Sequence, residues 1–262
     1  MKFCRFLASS GSTPHTTKPA WGLLDEGGIR EITGAPWEKW DQGKGPWAPG
    51  DVRLLAPCEP SKIVCVGRNY AAHAHELGNE VPREPLIFFK PPSSLIGPEA
   101  HILLPKFSQR VEHEGELGVV IGKKCAHLGE GEDPLAFILG YTCINDVTAR
   151  DLQKTDVQFT RAKGFDTFCP VGPHIETQID PRDVLVECRV NGEVRQSGST
   201  SLMTYPVAFL VEWISHMMTL WPGDLIATGT PAGVGPLVHG DVVEVSVAGI
   251  GMLRNPVQGL KS

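Results

Sequence analysis

The sequence predicts an α+β fold dominated by strands, and three observations support this prediction. Short apolar segments with an alternating pattern recur along most of the chain, whereas the clearest helical periodicity lies in residues 206–220. The dipeptide Asn191-Gly192 separates two alternating segments, which is typical of a β-hairpin with a two-residue turn. The chain also contains 29 glycines and 22 prolines, a composition that suits many turns and loops.

Composition and charge favour a globular protein that binds a small molecule. With 262 residues, 41% hydrophobic and 21% charged, the chain can bury a substantial core. A formal net charge of -6 and a pI near 5.8 give no electrostatic footprint for nucleic acid or an anionic membrane. Seven scattered cysteines without a CxxC pair indicate neither a disulfide framework nor a thiolate zinc site.

The hydropathy pattern contains no membrane-spanning segment. No stretch of 18 consecutive apolar residues occurs, and the N-terminal apolar run is too short for a signal peptide. We therefore expect a soluble, cytoplasmic protein that binds neither membranes nor nucleic acid.

The N-terminal region predicts a small β subdomain over residues 1–55, followed by the main domain over residues 56–262. Three short strand patterns, KFCRFLA, AWGLLD and GGIREI, precede a passage rich in Trp, Pro and Gly that has no apolar periodicity. Further strands are then predicted at 62–66, 86–90, 116–122, 137–145, 184–190 and 193–198, with a second hairpin over 240–257.

The clearest helix is predicted within PVAFLVEWISHMMTL, where Pro206 suits a first turn. We interpret its apolar stripe as core packing. The stripe consists of Val207, Leu210, Val211, Ile214, Met217 and Met218.

A second, shorter helix is predicted within GRNYAAHAHELG, capped by Asn69 and ended by Gly78. His73 and Glu76 then lie at positions i and i+3 on one face. A carboxylate that orients an imidazole prepares it to take a proton from water, although a weak surface pair gives the same pattern. The flanking glycines would permit this helix to move as a lid.

The stretch RVEHEGELGVVIG places Glu112, Glu114 and Glu116 at alternate positions, so a strand would project all three to one side. Solvent counter-ions, a Lys or Arg, or a metal ion would each relieve their repulsion. Asp146 follows an apolar strand pattern thirty residues later, and such oxygen ligands suit Mg²⁺ or Mn²⁺. The alternative is a solvated acidic edge strand and a helix-capping Asp.

Two more stretches contain candidate ligand-binding groups. Lys163 is an isolated cation in TRAKGFDTFCP, able to balance nearby carboxylates or a developing enolate. The glycines of IATGTPAGVGP fit neither a P-loop nor a dinucleotide fingerprint, because Pro231 follows and no helix pattern continues. We expect this loop to offer backbone N–H groups and Thr230 to a carboxylate.

In this order and at these separations, GRNYAAHAHE, EHEGELGVVIG, NDVTARDLQ, RAKGFDTFCPVGP, NGEVRQSGSTSLM and TGTPAGVG resemble the fumarylacetoacetate hydrolase family. The resemblance covers about residues 60–258, and the first 55 residues look like the variable small N-terminal domain of that family. It implies a mixed β-sheet (β-roll) fold, a homodimer and a Mg²⁺ or Mn²⁺ site.

Residue by residue, the resemblance implies metal ligands at Glu114, Glu116 and Asp146, with Glu112 outside the ligand set. It implies a water-activating pair, His73 and Glu76, on a lid helix. The remaining matches are the active-site Lys163 and the substrate contacts Arg150, Gln153 and Thr230, with Lys90 as a weaker candidate.

The activity that the resemblance implies is metal-dependent hydrolysis of a C–C bond in acylpyruvate-type (2,4-dioxo acid) substrates, through a metal-stabilised enolate. The alternatives on the same site are an isomerase of 2-hydroxyhepta-2,4-diene-1,7-dioate, as in aromatic catabolism, and an oxaloacetate decarboxylase or tautomerase. Two other classes stay open: a cation-binding protein without activity, and a nicotinamide-dependent enzyme, which the glycine context disfavours.

Overall fold

A computed structural model describes residues 1–8 and 18–259, so residues 9–17 of the N-terminal stretch and residues 260–262 lie outside the described residues. Strands dominate the described chain, as predicted. The strands are β1 Lys2–Ala8, β2 Ala20–Asp25, β3 Gly28–Ile32, β4 Val52–Leu55, β5 Ile63–Gly67, β6 Leu86–Lys90, β7 Leu95–Ile96, β8 Ile102–Leu104, β9 Val111–His113, β10 Gly115–Ile121, β11 Ile138–Asn145, β12 Thr148–Ala149, β13 Cys169–Glu176, β14 Leu185–Val190, β15 Glu193–Ser199, β16 Leu225–Ala227, β17 Gly235–Pro236, β18 Val242–Val247 and β19 Gly251–Gly259.

Helices are few and short among the described residues. The α-helices are α1 Ala71–Glu76, α2 Arg150–Thr155, α3 Thr160–Lys163 and α4 Val207–Met217. Single 3₁₀ turns occur at Pro49–Asp51, Pro92–Ser94, Pro134–Phe137 and Thr200–Leu202. No described helix has the length and apolar character needed to cross a bilayer.

The largest sheet is mixed. Its strands follow the order β3-β2-β1-β13-β11-β10-β16-β5-β6, with β4 beside β1 and β7 beside β13. Most neighbours are antiparallel, but β16 runs parallel to β5 and β13 runs parallel to β7. The predicted mixed sheet is therefore confirmed, and β10, which follows the acidic stretch, lies at its centre and not at an edge.

A second sheet, ordered β15-β14-β18-β19-β8, packs against the central strands. The packing is close at Gly115, where a Cβ atom would lie 3.0 Å from Cβ of Cys188 and 3.3 Å from Cγ1 of Val245. A small third sheet, β12-β9-β17, adjoins the acidic stretch. These contacts leave the Glu114 region enclosed.

The N-terminal strands join the main sheet directly. Strand β1 pairs antiparallel with β13, with Phe3 opposite Ile175. The Trp-rich passage also reaches the main domain, because a Cβ atom on Gly223 would lie 2.8 Å from the ring of Trp37. The predicted boundary between residues 1–55 and 56–262 stays a prediction.

Both predicted hairpins are confirmed. Strands β14 and β15 pair antiparallel around Asn191 and Gly192, which have φ angles of 53° and 81°. These positive angles are those of the turn that Asn-Gly favours. Strands β18 and β19 form the second hairpin.

The long helix was predicted correctly except at its end. Helix α4 begins directly after Pro206, its N-cap, and Val207, Leu210, Val211 and Ile214 of the stripe are buried. Met217 is 48% exposed, so its assignment to the core was wrong. Met218 lies just beyond the helix in extended backbone, but it is partly buried and packs against the main core, as predicted.

The predicted cap of the short helix was wrong. Tyr70 is the N-cap of α1, without a side-chain capping bond. Asn69 is fully buried, and its amide instead donates to the carbonyl of Thr228 at 2.7 Å and accepts from the N–H of Tyr205 at 2.8 Å. Buried backbone groups of two loops need these bonds, and they determine where the amide points.

Candidate active site

Glu114, Glu116 and Asp146 form one buried acidic cluster. Glu114 lies between β9 and β10, Glu116 lies on β10, and Asp146 directly follows β11. The Asp146 N–H donates to the Glu114 carbonyl at 2.8 Å, which joins the two segments. One carboxylate oxygen from each of the three residues lies within 4.8 Å of the others.

Two buried lysines neutralise part of this cluster. Lys163, at the end of α3, donates to Glu114 at 2.8 Å and to Asp146 at 2.6 Å. Lys90, at the end of β6, donates to the other oxygen of Asp146 at 2.6 Å and to the carbonyl of Val147 at 3.0 Å. Lys163, predicted as an isolated cation and as the active-site lysine of the family, is therefore a central ion-pair partner.

Arg150 neutralises the acidic stretch from the other side. Its guanidinium donates to Glu112 at 2.6 Å, to Gln153 at 2.6 Å and to Glu114. Arg110 donates to the second oxygen of Glu112 at 2.6 Å. Glu112 is thus held in ion pairs outside the acidic cluster. The alternative of a solvated edge strand is wrong, because all these carboxylates are buried in the fold.

The electrostatics separate Glu114 from Glu116. Burial alone would raise the pKa of Glu114, but the positive charges of Lys163 and Arg150 outweigh it and bring the pKa below its usual range. Burial, together with Asp146 and Glu114, raises the pKa of Glu116 well above its usual range. Among the described residues, the hydrogen-bond donor to Glu116 is the N–H of Gly229, at 2.8 Å, and not a Lys or Arg.

The acidic cluster fits a hard divalent cation. It offers three buried carboxylates at a spacing that allows them to share one ion, and oxygen ligands are those preferred by Mg²⁺ and Mn²⁺. Glu116 in particular lacks a cationic hydrogen-bond partner in the described part of the chain, and a dication would stabilise its ionised form.

His73 and Glu76 form a pair at the end of α1. Nδ1 of His73 lies 3.4 Å from Oε2 of Glu76, and His73 is only 5% exposed. The Gly233 N–H donates to both Glu76 oxygens, at 3.0 and 3.1 Å. The alternative of a weak surface pair does not describe this imidazole, which is buried and held through an anchored carboxylate.

Thr230 has little hydrogen-bonding capacity left. Its hydroxyl donates to the carbonyl of Gly115 at 2.8 Å and accepts from Nε2 of Gln196 at 2.7 Å. A hydroxyl has one proton and two lone pairs, so only an acceptor position is left for a ligand. In this arrangement, a carboxylate at this loop would have to be bound by a backbone N–H.

A cavity of about 410 Å³ connects these groups. It is lined by the predicted residues His73, Glu76, Glu114, Glu116, Asp146, Arg150, Gln153, Lys163 and Thr230. Lys90 is not among the lining residues. Its ion pair with Asp146 holds it behind that carboxylate, away from the cavity. Its predicted contact with substrate has no support from this position.

Sequence reasoning missed the outer part of the cavity. Arg68, Arg110 and Lys154 line it as cations, and Phe88 and Phe159 form an apolar wall, with ring centroids 5.6 Å apart. Among these, only Arg68 carried a signal, because it lies inside the GRNY motif beside Gly67. Its φ of 57° places this non-glycine residue in the left-handed region, a conformation that often marks functional sites.

Comparison with known families agrees with the motifs. The family model for the C-terminal domain of fumarylacetoacetate (FAA) hydrolase matches residues 62–258, and a model described as Rv2993c-like, N-terminal, matches residues 1–57. The chain therefore belongs to the fumarylacetoacetate hydrolase family, a family of enzymes, and the resemblance stated above is confirmed.

Individual relatives perform different reactions. The chain is 44% identical over 220 residues to the mitochondrial oxaloacetate tautomerase FAHD2A of Homo sapiens, covering 79% of this chain and 70% of the relative. A crystal structure of 5-carboxymethyl-2-hydroxymuconate delta-isomerase from Mycobacterium smegmatis matches with a TM-score of 0.88 and 44% identity, over 99% of this chain and 100% of that one. The crystal structure of fumarylpyruvate hydrolase from Pseudomonas aeruginosa, solved with Mn²⁺ and pyruvate, matches with a TM-score of 0.72 and 30% identity. The match covers 79% of this chain and 92% of that one.

Proposed function

We propose that the protein is a divalent-metal-dependent hydrolase that cleaves a C–C bond in acylpyruvate-type 2,4-dioxo acids. The observation behind this proposal is that the His73–Glu76 pair and the acidic cluster line one cavity. Glu114, Glu116 and Asp146 would hold Mg²⁺ or Mn²⁺, which when bound supplies Lewis-acid polarisation of the 2-oxo group. The Mn²⁺ and pyruvate in the related fumarylpyruvate hydrolase support this class of cofactor and product.

His73 is the proposed general base. With Nδ1 held toward Glu76, the other ring nitrogen is the one available to take a proton from water. The water oxygen then bonds to the distal acyl carbon. The C–C bond to the central CH₂ breaks, its electron pair passes into the enolate of pyruvate, and protonation of the former CH₂ carbon gives pyruvate and a carboxylic acid.

Lys163 would stabilise the negative charge that develops during cleavage. Burial alone would lower its pKa, but Asp146 and Glu114 outweigh that effect and raise the pKa, so the side chain stays an ammonium. Two of its three N–H groups bond these carboxylates, which leaves one for an oxygen of the departing enolate. Lys163 is therefore a donor in this scheme and not a base.

The outer cavity favours a substrate that carries a second carboxylate. Within the described residues, Arg68 and Lys154 form no ion pair, in contrast to the inner cations Lys163 and Arg150. The Phe88 and Phe159 wall lies in the same cavity and suits a hydrocarbon linker. A fumarylpyruvate-type acid would use both features, whereas acetylpyruvate has no second anionic end.

Keto–enol isomerisation is the second candidate. The 44% identity to an oxaloacetate tautomerase over 79% of the chain favours it. The same imidazole would move a proton between carbon and oxygen of a 2-oxo acid, and no water would be consumed. The apolar wall favours the hydrolase over the isomerase. Oxaloacetate has a single CH₂ between its functional groups, so it has no hydrocarbon linker to pack against Phe88.

A substrate panel tests the proposal. Fumarylpyruvate, acetylpyruvate, oxaloacetate and 2-hydroxyhepta-2,4-diene-1,7-dioate are assayed with Mg²⁺, after EDTA, and after Mg²⁺ is restored. We expect pyruvate release from fumarylpyruvate that EDTA abolishes and Mg²⁺ restores. Interconversion of the keto and enol forms without pyruvate release would favour the second candidate, and turnover of none would overturn both.

A further inference from the structure

Gln196 connects the acidic cluster to the loop that follows β16. It lies on β15, opposite Cys188 of β14, and is 1% exposed. Its Oε1 accepts from the Gly115 N–H at 2.9 Å and from Nδ1 of His113 at 3.0 Å. Its Nε2 donates to the Thr230 hydroxyl and to the Pro231 carbonyl, both at 2.7 Å. All four hydrogen-bonding positions of the amide are therefore filled.

These bonds form a closed ring around one residue of the acidic stretch. Gln196 holds the Gly115 N–H, and Thr230, itself held by Gln196, donates to the Gly115 carbonyl at 2.8 Å. Gly115 separates Glu114 from Glu116. The ring thus fixes the peptide groups on both sides of Gly115, and with them the spacing of the two carboxylates.

The same loop holds two more functional groups. The Gly229 N–H donates to Glu116 at 2.8 Å, and the Gly233 N–H donates to Glu76 at 3.0 Å. Both glycines adopt positive φ, 102° and 103°, so their own backbone does little to restrict the loop. Gln196 contacts the loop between them, at Thr230 and Pro231. Together with Asn69, whose amide holds the Thr228 carbonyl at the start of this loop, Gln196 therefore restricts where both N–H groups point.

We propose that Gln196 is a positioning residue that sets the geometry of the acidic cluster and of the His73–Glu76 pair together. This inference rests on the proposed function for its catalytic consequence, but it concerns side chains of this chain alone. It predicts that loss of the Gln196 amide weakens binding of a divalent cation and lowers kcat. Loss of an equally buried amide that lies away from the cavity should have a smaller effect on both quantities.

Asn255 provides a matched control. It is also 1% exposed, and its amide donates to two carbonyls, of Gly97 at 3.0 Å and Ala100 at 2.8 Å. It contributes nothing to the cavity lining. Gln196→Glu and Asn255→Asp each remove two donors and keep the size of the side chain, and Gln196→Met removes the hydrogen bonds of Gln196 without adding charge.

The test measures the Kd for Mn²⁺ by calorimetry, together with Tm in EDTA and kcat. Partners that orient metal ligands typically contribute 10- to 100-fold in affinity or activity, so we expect a Kd about 10- to 100-fold weaker in both Gln196 variants. An added negative charge would tighten cation binding, so weakening in Gln196→Glu cannot come from charge. Asn255→Asp should lower Tm but leave Kd unchanged.

Three outcomes are distinguishable. A weaker Kd in the Gln196 variants alone supports the inference. A Kd unchanged from the wild type, in a Gln196 variant whose Tm falls as in Asn255→Asp, would show a merely structural role and overturn it. A wild type that binds no Mn²⁺ would instead overturn the proposed function, and with it the catalytic consequence of the inference.

Discussion

At the residue scale, the partners of each carboxylate decide what it can do. Glu112 shares its two oxygens between Arg110 and Arg150, and it is not one of the three carboxylates that lie close enough to share an ion. Glu116 lies two residues beyond Glu114, and within the described part of the chain its hydrogen-bond donor is a backbone N–H. Alternation along a strand predicted that Glu112, Glu114 and Glu116 project to the same side. Their different hydrogen-bond and ion-pair partners could not be predicted in this way, because most of these partners are distant in sequence.

The base role of His73 leads to a direct prediction. His73→Gln should lower hydrolysis by roughly 100- to 10,000-fold, the usual contribution of a general base. His75→Gln, on the exposed face of the same helix, is the control and should retain wild-type kcat. The measurement is steady-state pyruvate release from fumarylpyruvate. Equal rates in the two variants would remove His73 from the mechanism.

Lys163 gives a prediction that needs no substrate. Lys163→Met leaves Glu114 and Asp146 without their shared ammonium, and breaking such a buried pair costs about 3–5 kcal/mol. Tm in EDTA should therefore fall. Mg²⁺ should then raise Tm more than in wild type, since the acidic cluster has gained net negative charge. Scanning calorimetry checks this, with the exposed Lys106→Met as control.

An equal rise in Tm on addition of Mg²⁺ to Lys163→Met, Lys106→Met and wild type would contradict this prediction. It would mean that stabilisation by Mg²⁺ does not depend on the charge of the acidic cluster.

At the element scale, the glycine loop after β16 is the structure most sensitive to small changes. A Cβ atom on Gly233 would lie 2.0 Å from the carbonyl oxygen of Arg195, whereas one on Gly240 would have no atom of the described residues within 4 Å, although both glycines have positive φ. Alanine at either position has to adopt the left-handed conformation, at about 1–2 kcal/mol. Only at Gly233 must the loop also move.

Gly233→Ala should therefore impair catalysis, and Gly240→Ala should not. Displacement of the Gly233 N–H releases Glu76, and a misplacement of about 1 Å in an active site can cost about 100-fold in rate. The comparison is of kcat at matched fractions of folded protein, determined by circular dichroism. Similar kcat values for both variants would mean that the contact with Glu76 is dispensable.

Strand β13 contains a group that should make stability depend on pH. Burial, with the nearby charge of Lys2, lowers the pKa of His174 from 6.5 to about 4. Between these values the unfolded chain binds more protons than the folded protein, so stability is present above pH 6.5 and is lost as the pH falls toward 4. Urea titrations across this range measure the loss.

His174→Gln should reduce that pH dependence. A residual slope is expected, because burial also lowers the pKa of His113. A variant whose stability falls with pH as steeply as that of the wild type would assign the acid sensitivity to other groups.

At the scale of the whole molecule, the sequence predicted the fold class, both hairpins and the grouping of the acidic cluster. These follow from local patterns: alternation places side chains on faces, and Asn-Gly dictates a turn. The caps and the end of α4 were less predictable. Asn69 and Met217 depend on loops and surfaces that meet only in the folded chain.

The candidate site was predicted in its acids and its His–Glu pair, but not in its surroundings. Gln196 gave no signal of its own, because a single Gln in a strand has no spacing to interpret. The cations Arg68, Arg110 and Lys154 come from three separate segments, and only the sheet order brings them to one cavity. The homodimer implied by the resemblance stays a prediction, which sedimentation would test against the 28.4 kDa chain.

The most direct test of the central claim is an anomalous-scattering map from crystals grown with Mn²⁺ and oxalate, a mimic of the pyruvate enolate. We predict one ion held by the carboxylates of Glu114, Glu116 and Asp146, with oxalate completing its coordination on the cavity side. An ion bound elsewhere, or one whose coordination is closed by protein alone, would contradict a site built for a 2-oxo acid.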